Sequence, residues 1–243
     1  MVLVLALVLL LLPLPSIDAT TYDVSPDGED GLDLPGGIEM AEAGDTVYLA
    51  DGVYDHPIVT VRDGHDDSPI TIEGGSGAIL NGDNSAPVEV WHSFITLKGF
   101  TVDGKFGSSD SGDSYVDQCV RIEGPLEGFV MEEVTVQNCG GECVRLKNFV
   151  VGSYLYRNTI QDCGLNDYEF GSSGENGEGI YLGTSTDQVT EQTCRPTQTR
   201  HKIDGWLPSY LQPTRLSTDR AYSQPPSHGR KKTLTLEANV VIH

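Results

Sequence analysis

The stretch DQCVRIEGPLEGFVMEEVTVQNCG, residues 117–140, decides the fold, because GECVRLKNFVVGSYLYRNTIQDCG, residues 141–164, repeats it directly afterwards. The two blocks align without a gap at a shift of 24, and three coincidences stand out: Cys119 with Cys143, Arg121 with Arg145, and Cys139 with Cys163. A third copy, GEGIYL, begins at Gly177, and the residues that precede it, LNDYEFGSSGEN (165–176), are typical of a loop inserted into one turn of a solenoid.

Within each copy, apolar and polar residues alternate with a period of two, which indicates short strands rather than helices. The period of 24 leaves no room for helical crossovers between strands, and the leucine-rich-repeat pattern is absent. We therefore predict coils stacked about 4.8 Å apart, each burying the apolar face of the next. Two inward columns are expected, one of Val120, Val144 and Ile180 and one of Ile122, Leu146 and Leu182.

Upstream segments carry a resemblance to a known class. VSPDGED from Val24, GDTVYLADGVYD from Gly44, SFITLKGFTVDG from Ser93 and NGEGIYLGTS from Asn176 resemble coils of pectin-lyase-like proteins. The resemblance implies a secreted, all-β, right-handed parallel β-helix of about five to six coils over residues 20–188. It also implies a short N-terminal cap, for which GGIEMAEAG (36–44) is the candidate. The class includes polysaccharide lyases, hydrolases, uronate epimerases and members without known activity, so the resemblance implies a fold and leaves the activity open.

The two ends of the chain differ from this body. Residues 1–19 contain an apolar run, Val2 to Leu12, which is too short to span a bilayer and indicates a signal peptide cleaved after Ala19. We expect secretion and no membrane span after cleavage. Residues 189–243 carry five of the 13 prolines and no period-two pattern, so we predict an atypical, linker-like or disordered tail, with a strand only in TLTLEANVVIH at its end.

The charge of the body excludes some partners. Residues 1–190 contain 7 Lys and Arg against 32 Asp and Glu, a net charge of −25. Such a surface repels nucleic acid, and it repels a polyanionic glycan unless cations bridge the two. The resemblance to pectin-lyase-like proteins implies an extracellular polysaccharide as the partner, and the charge makes nucleic acid an unsuitable one.

Four of the five cysteines occupy repeated positions. If the coils stack in register, Cys119 lies above Cys143 and Cys139 above Cys163, at Cα separations that permit disulfides. We predict bridges 119–143 and 139–163 on this ground. The alternative is a ladder of half-buried thiols that pack without bonding.

Candidate site residues follow from the outward positions of the strands. Arg121 and Arg145 share an outward column and are the candidate catalytic residues, with surface pairing to Glu123 as the alternative. Tyr181 continues the column, and together with Glu142 and Glu178 it is expected to bind substrate. The resemblance suggests Ca²⁺, which lyases of the class often use to neutralise a uronate before a Lys or Arg base removes the C5 proton. The candidate metal ligands are Asp103 and Asp117.

Two functions remain open at this point. One is a secreted β-helix protein that binds or acts on extracellular polysaccharide, as a Ca²⁺-assisted lyase or epimerase. The alternative is a non-catalytic surface or matrix protein with a structural or glycan-binding role. Apart from Ca²⁺, no cofactor is indicated by any motif.

Overall fold

The computed structural model of the protein describes its body almost completely. The described residues are 18–28, 31–81, 85–109, 111–168, 177–183 and 240–242. Most of the expected signal peptide (1–19) and most of the expected tail (189–243) lie outside them, as does most of the inserted loop 165–176.

Short strands account for nearly all of the regular structure. In chain order the elements are β1 (Thr21–Val24), α1 (Leu34–Met40), β2 (Thr46–Leu49), β3 (Gly52–Tyr54), β4 (Ile58–Val59), β5 (Ile70–Gly74), β6 (Ala78–Leu80), β7 (Val88–Val90), β8 (Ile95–Lys98), β9 (Thr101–Asp103), a 3₁₀ turn (Gly112–Ser114), β10 (Val120–Glu123), β11 (Leu126–Glu127), β12 (Val130–Glu132), β13 (Thr135–Gln137), β14 (Val144–Lys147), β15 (Val150–Val151), β16 (Ser153–Tyr156), β17 (Thr159–Ile160), α2 (Leu165–Tyr168), β18 (Ile180–Leu182) and β19 (Val240–Ile242).

The strands form three long sheets, and each coil contributes one strand to each sheet. Sheet 1 has the order β1-β2-β5-β8-β12-β16-β19, sheet 2 the order β3-β6-β9-β13-β17 and sheet 3 the order β4-β7-β10-β14-β18. All pairings are parallel except that of β19, which runs antiparallel to β16. A fourth, two-stranded sheet pairs β11 with β15. The described residues therefore wind through five coils beyond β1, and the predicted parallel β-helix is confirmed.

The predicted register is also confirmed. Val120 pairs with Val144, which pairs with Ile180, and Ile122 and Leu146 continue the second column. Val120, Val144 and Ile122 are fully buried in the single core that fills the interior. Leu182 differs, because 50% of its side chain is exposed in the last described coil, where no described strand of sheet 3 lies above it.

A short helix covers the N-terminal end of this core. Helix α1 begins two residues before the predicted GGIEMAEAG, because Asp33 caps it by accepting a hydrogen bond from the Gly36 amide. Leu34 and Ile38, which belong to α1, are buried. The expected N-terminal cap is thus a helix of seven residues.

One corner of the coils carries both insertions. The chain turns from sheet 2 to sheet 3 after β9, where residues 104–119 intervene, and again after β17, where α2 begins the inserted loop. In the coil between them the turn is short, with Asn138 at a positive φ of 56° and only six residues from β13 to β14. We call this edge the insertion corner, and it borders the start of every strand in the upper part of sheet 3.

The disulfides lie at this corner, and the predicted pairing is wrong. Cys119 is bonded to Cys139 and Cys143 to Cys163, with Cα separations of 5.9 and 5.5 Å. Stacked cysteines point their side chains in parallel, whereas residues that enter and leave the corner in successive coils point toward each other. Each bridge therefore joins the start of a sheet 3 strand to the end of the next sheet 2 strand.

The end of the chain rejoins the body. The strand expected within TLTLEANVVIH is present as β19, which pairs with β16 at the edge of sheet 1. No helix among the described residues is long and apolar enough to cross a bilayer.

Removal of one bridge tests the observed connectivity. Each disulfide joins residues 20 apart in the chain, and the loop-entropy model assigns about 3 kcal/mol to such a closure. We expect Cys119→Ala/Cys139→Ala to lower the free energy of unfolding by about that amount, measured by urea denaturation. Mapping of unreduced peptides should link residue 143 to 163 in this variant, and in the wild type it should link 119 to 139 and never 119 to 143.

A second prediction uses two leucines of one column. Leu146 is 3% exposed and Leu182 is 50% exposed. We expect Leu146→Ala to cost about 2–5 kcal/mol of unfolding free energy, because it opens a cavity in the core, and Leu182→Ala about 0.5 kcal/mol or less. Equal losses in the two variants would contradict the exposure of Leu182 in the last described coil.

Candidate functional site

The candidate site lies on the outer face of sheet 3. Because alternate residues of a strand point to opposite faces, the buried Val88, Val120 and Val144 turn their neighbours outward. The register then places four side chains in one outward column that runs along the helix axis: Glu89, Arg121, Arg145 and Tyr181. The expected stacking of the two arginines is confirmed.

A second outward line runs beside this column. Glu123 pairs with Lys147 in the ladder, as an opposite-sign pair. Trp91 directly follows Val90, which pairs with Ile122, so Trp91 lies on the line of Glu123 one coil below. The two lines together form a surface of aromatic, cationic and anionic groups.

Arg121 is enclosed by acceptors. Its guanidinium lies 3.5 Å from Glu89 Oε1 and 3.3 Å from Glu123 Oε1, and its Cζ lies 5.4 Å from the centre of the Trp91 ring. The indole N–H of Trp91 in turn donates to Glu89 Oε2 at 3.1 Å. The surface ion pairing foreseen for the arginines is thus realised at Arg121, and two carboxylates balance its charge.

Arg145 has a different environment. Its Nη1 lies 3.7 Å from Glu142 Oε2, and the side chain is only 17% exposed. The Nε of Arg145 is buried and makes no hydrogen bond, and the same holds for Glu142 Oε2. A buried donor and a buried acceptor without hydrogen bonds are costly, and the Nε of Arg121 is likewise buried without a hydrogen bond.

Glu142 is an acidic group of the site with a raised pKa. Burial raises the pKa of its carboxyl, and the charges of Asp117 and Glu178 raise it further, against the opposing effect of Arg145. Glu142 is 3% exposed, whereas Glu178 is exposed. The structure therefore brings together three predicted acidic residues at the insertion corner, where Glu142 can hold a proton to higher pH than an ordinary carboxyl.

Tyr181 is also held by a cation. Lys147 Nζ lies 5.3 Å from the centre of the Tyr181 ring, and Lys147 itself is only 7% exposed. The ring is partly buried at the edge of the fifth coil. Each of the two aromatic rings on this face is therefore in contact with a basic side chain.

The expected metal ligands do not form a cluster. Asp103 accepts hydrogen bonds at both oxygens, from Gln137 and Asn138, at 2.9–3.0 Å. Asp117 belongs to the group around Glu142 instead. In the part of the chain that the structure describes, no three His, Cys, Asp or Glu side chains could hold a metal ion together, so the calcium site stays a prediction without a ligand set.

The sequence analysis did not predict Glu89 and Trp91 as residues of the site. Their strand β7 precedes β10 by 32 residues rather than 24, because residues 104–119 are inserted between the two coils. The alternation in VEVW, residues 88–91, was the available signal.

Comparison with known proteins supports the fold. No protein-family model and no curated protein matches the chain. Among solved structures, an alginate lyase from Paenibacillus sp. str. FPU-7 superposes with a TM-score of 0.55 and 19% identity over 69% of this chain and 51% of that one. Pectate lyase Pel9A gives a TM-score of 0.46 and 13% identity over 59% of this chain and 40% of that one.

A mannuronic acid-specific family 6 lyase from human gut microbiota gives a TM-score of 0.37 and 12% identity, over 68% of this chain and 45% of that one. The chain thus spans about half the length of the lyases it resembles. Taken with the three sheets in register, the likeness to the alginate lyase shows the parallel β-helix fold.

The raised pKa of Glu142 predicts a pH dependence of stability. Because the folded protein holds this proton more tightly than the unfolded chain, the stabilisation is complete below the ordinary value of 4.5 and is lost as pH rises through the folded pKa. The Glu142→Gln variant should not lose stability through this titration. The melting temperature of the variant minus that of the wild type should therefore increase as pH rises above 4.5. Glu127→Gln, at an exposed position, should follow the wild-type profile.

Proposed function

We propose that the protein is a secreted β-helix protein that binds an extracellular polysaccharide along the outer face of sheet 3. One observation carries the proposal, namely that Trp91, Arg121, Arg145 and Tyr181 lie in successive coils on one outer face, Trp91 on the second line and the other three in the column beside it. Aromatic rings and planar guanidinium groups recognise sugar rings and their hydroxyl groups, and a linear row of them suits a linear polymer.

Two features support export. The bridges 119–139 and 143–163 are of a kind that persists in oxidising compartments. The apolar run that begins the chain has the length of a signal-peptide core. Binding without cleavage is the role of a surface or matrix protein, and it requires nothing beyond the row of side chains just described.

Cleavage of the bound polymer, by a lyase or epimerase reaction, is the second candidate. The observation that favours it is Glu142, a buried carboxyl with a raised pKa beside Arg145. In a lyase reaction a carboxylate of the corner, Asp117 or Glu178, takes the C5 proton of a uronate, and the C4–O bond breaks as the C4–C5 double bond forms. Glu142 gives its proton to the departing glycosidic oxygen, while Arg145 balances the substrate carboxylate. Arg121 is less suited to this role, because Glu89 and Glu123 already engage it.

A glycan panel tests binding and cleavage together. The protein is run by affinity electrophoresis through acidic and neutral polysaccharides, with and without Ca²⁺, and each mixture is monitored for the ultraviolet absorbance of an unsaturated uronate. Binding without absorbance growth supports the first candidate, and growth supports the lyase reaction. Retarded migration in none of the gels would refute the proposal.

Arg145→Ala locates the site within the molecule. Loss of hydrogen bonds from a charged group costs about 1.5–3 kcal/mol, so affinity should fall at least about tenfold. Arg157→Ala is the matched control, because Arg157 lies beside sheet 1, is 60% exposed and pairs with Glu132 and Glu133. Equal effects of the two substitutions, at unchanged circular dichroism, would place binding elsewhere.

A further inference from the structure

We infer that the outer face of sheet 3 takes an uncharged glycan, which stacks on two pre-positioned aromatic rings, Trp91 and Tyr181, rather than a polyuronate. The inference rests on the proposed function and specifies its substrate class. Three observations carry it: the way in which the two rings are held, their spacing along the helix, and the internal balance of the neighbouring charges.

Two contacts fix the Trp91 ring, a hydrogen bond from its indole N–H and a cation–π contact on its face. Its N–H donates to Glu89, and Arg121 lies 5.4 Å from the ring centre, yet 40% of the residue remains exposed. An exposed indole fixed in this way loses little conformational entropy when a ligand stacks on it. The flat C–H face of a pyranose ring is a suitable occupant, because it is apolar while its hydroxyls project sideways to groups such as Glu89 and Glu123.

Tyr181 repeats the arrangement further along. Lys147 lies 5.3 Å from its ring centre, and the ring is partly exposed on the same outer face. Trp91 follows β7 and Tyr181 lies in β18, three rungs higher in sheet 3. At about 4.8 Å per rung the two rings are about 14 Å apart along the axis, a span that an oligosaccharide fills and a single sugar does not.

The cations between the rings are already matched. Arg121 is paired with Glu89 and Glu123, and Arg145 with Glu142, beside which lie Asp117 and Glu178. The third cation, Lys147, lies against the Tyr181 ring, so three cations stand among five carboxylates. A glycan carboxylate would therefore meet more negative than positive charge on this face. The body around it carries a net charge of −25 over residues 1–190, which repels a polyanion at long range as well.

Salt dependence separates the two substrate classes. The full-length protein is titrated with neutral polysaccharides, mixed-linkage glucan and galactomannan, and with alginate and polygalacturonate, at low and at high ionic strength. We expect binding to a neutral polymer that salt leaves unchanged, because no counter-charge is screened. Binding only to polyuronates, weakening with salt, would overturn the inference while the proposed function stood. Binding to no glycan would refute the proposed function itself.

Substitution of Trp91 and Tyr181 tests whether a glycan stacks on their rings. Trp91→Ala and Tyr181→Ala should each weaken neutral-glycan binding about tenfold, and Trp91→Phe should retain most of the affinity. Tyr48→Ala is the matched control, because Tyr48 is 41% exposed on sheet 1 and should bind like the wild type. In a Trp206→Phe background Trp91 is the sole tryptophan, so its fluorescence should change on binding. Losses no larger than that of Tyr48→Ala would overturn the inference.

Discussion

The parallel, in-register stacking of one coil on the next is the constraint on which everything else in this molecule depends. A single coil cannot satisfy its own backbone or bury its own apolar residues, so each strand must pair with the strand above it. The same ladder that buries Val120 under Val144 forces Arg121 under Arg145, about 4.8 Å apart. Two like charges at that distance need nearby anions, and the carboxylates of Glu89, Glu123 and Glu142 provide them. The charge pattern of the outer face therefore follows from the register.

Sequence reasoning succeeded where the repeat is uninterrupted and failed at the corner. Between residues 117 and 164 the shift of 24 determines the register, so the inward columns and the outward arginines were predictable. The coil that contains Trp91 is offset by the connection 104–119, which hid the place of Trp91 on the outer face. The predicted disulfide pairing was wrong for another reason. The register predicts the separation of the Cα atoms but not the direction in which two side chains point.

The insertion corner links the stability of the molecule to its candidate chemistry. Glu142 lies between Cys139, bonded to the coil below, and Cys143, bonded to the coil above. Five residues of backbone are thus fixed at both ends by covalent bonds to different coils. Such a segment can keep a carboxyl buried and incompletely hydrogen-bonded, a state that a loosely held turn would relax by moving into solvent. The bridges therefore help to keep Glu142 in the buried position that raises its pKa, and they contribute part of the stability.

Two β-helix proteins that share a fold need apolar residues at the same inward positions, whereas their outward residues can differ. The likeness to an alginate lyase covers about half of that enzyme at 19% identity, and a likeness of that kind constrains the core columns alone. Recognition of a polyanion needs cations that are not already paired with carboxylates, whereas Arg121 and Arg145 form ion pairs within the protein. What the outer face offers instead is two aromatic rings that basic side chains hold in place. In the proposed binding mode, Arg121 and Lys147 orient the two rings as a stacking surface, and the affinity of that surface depends on ring area rather than on charge.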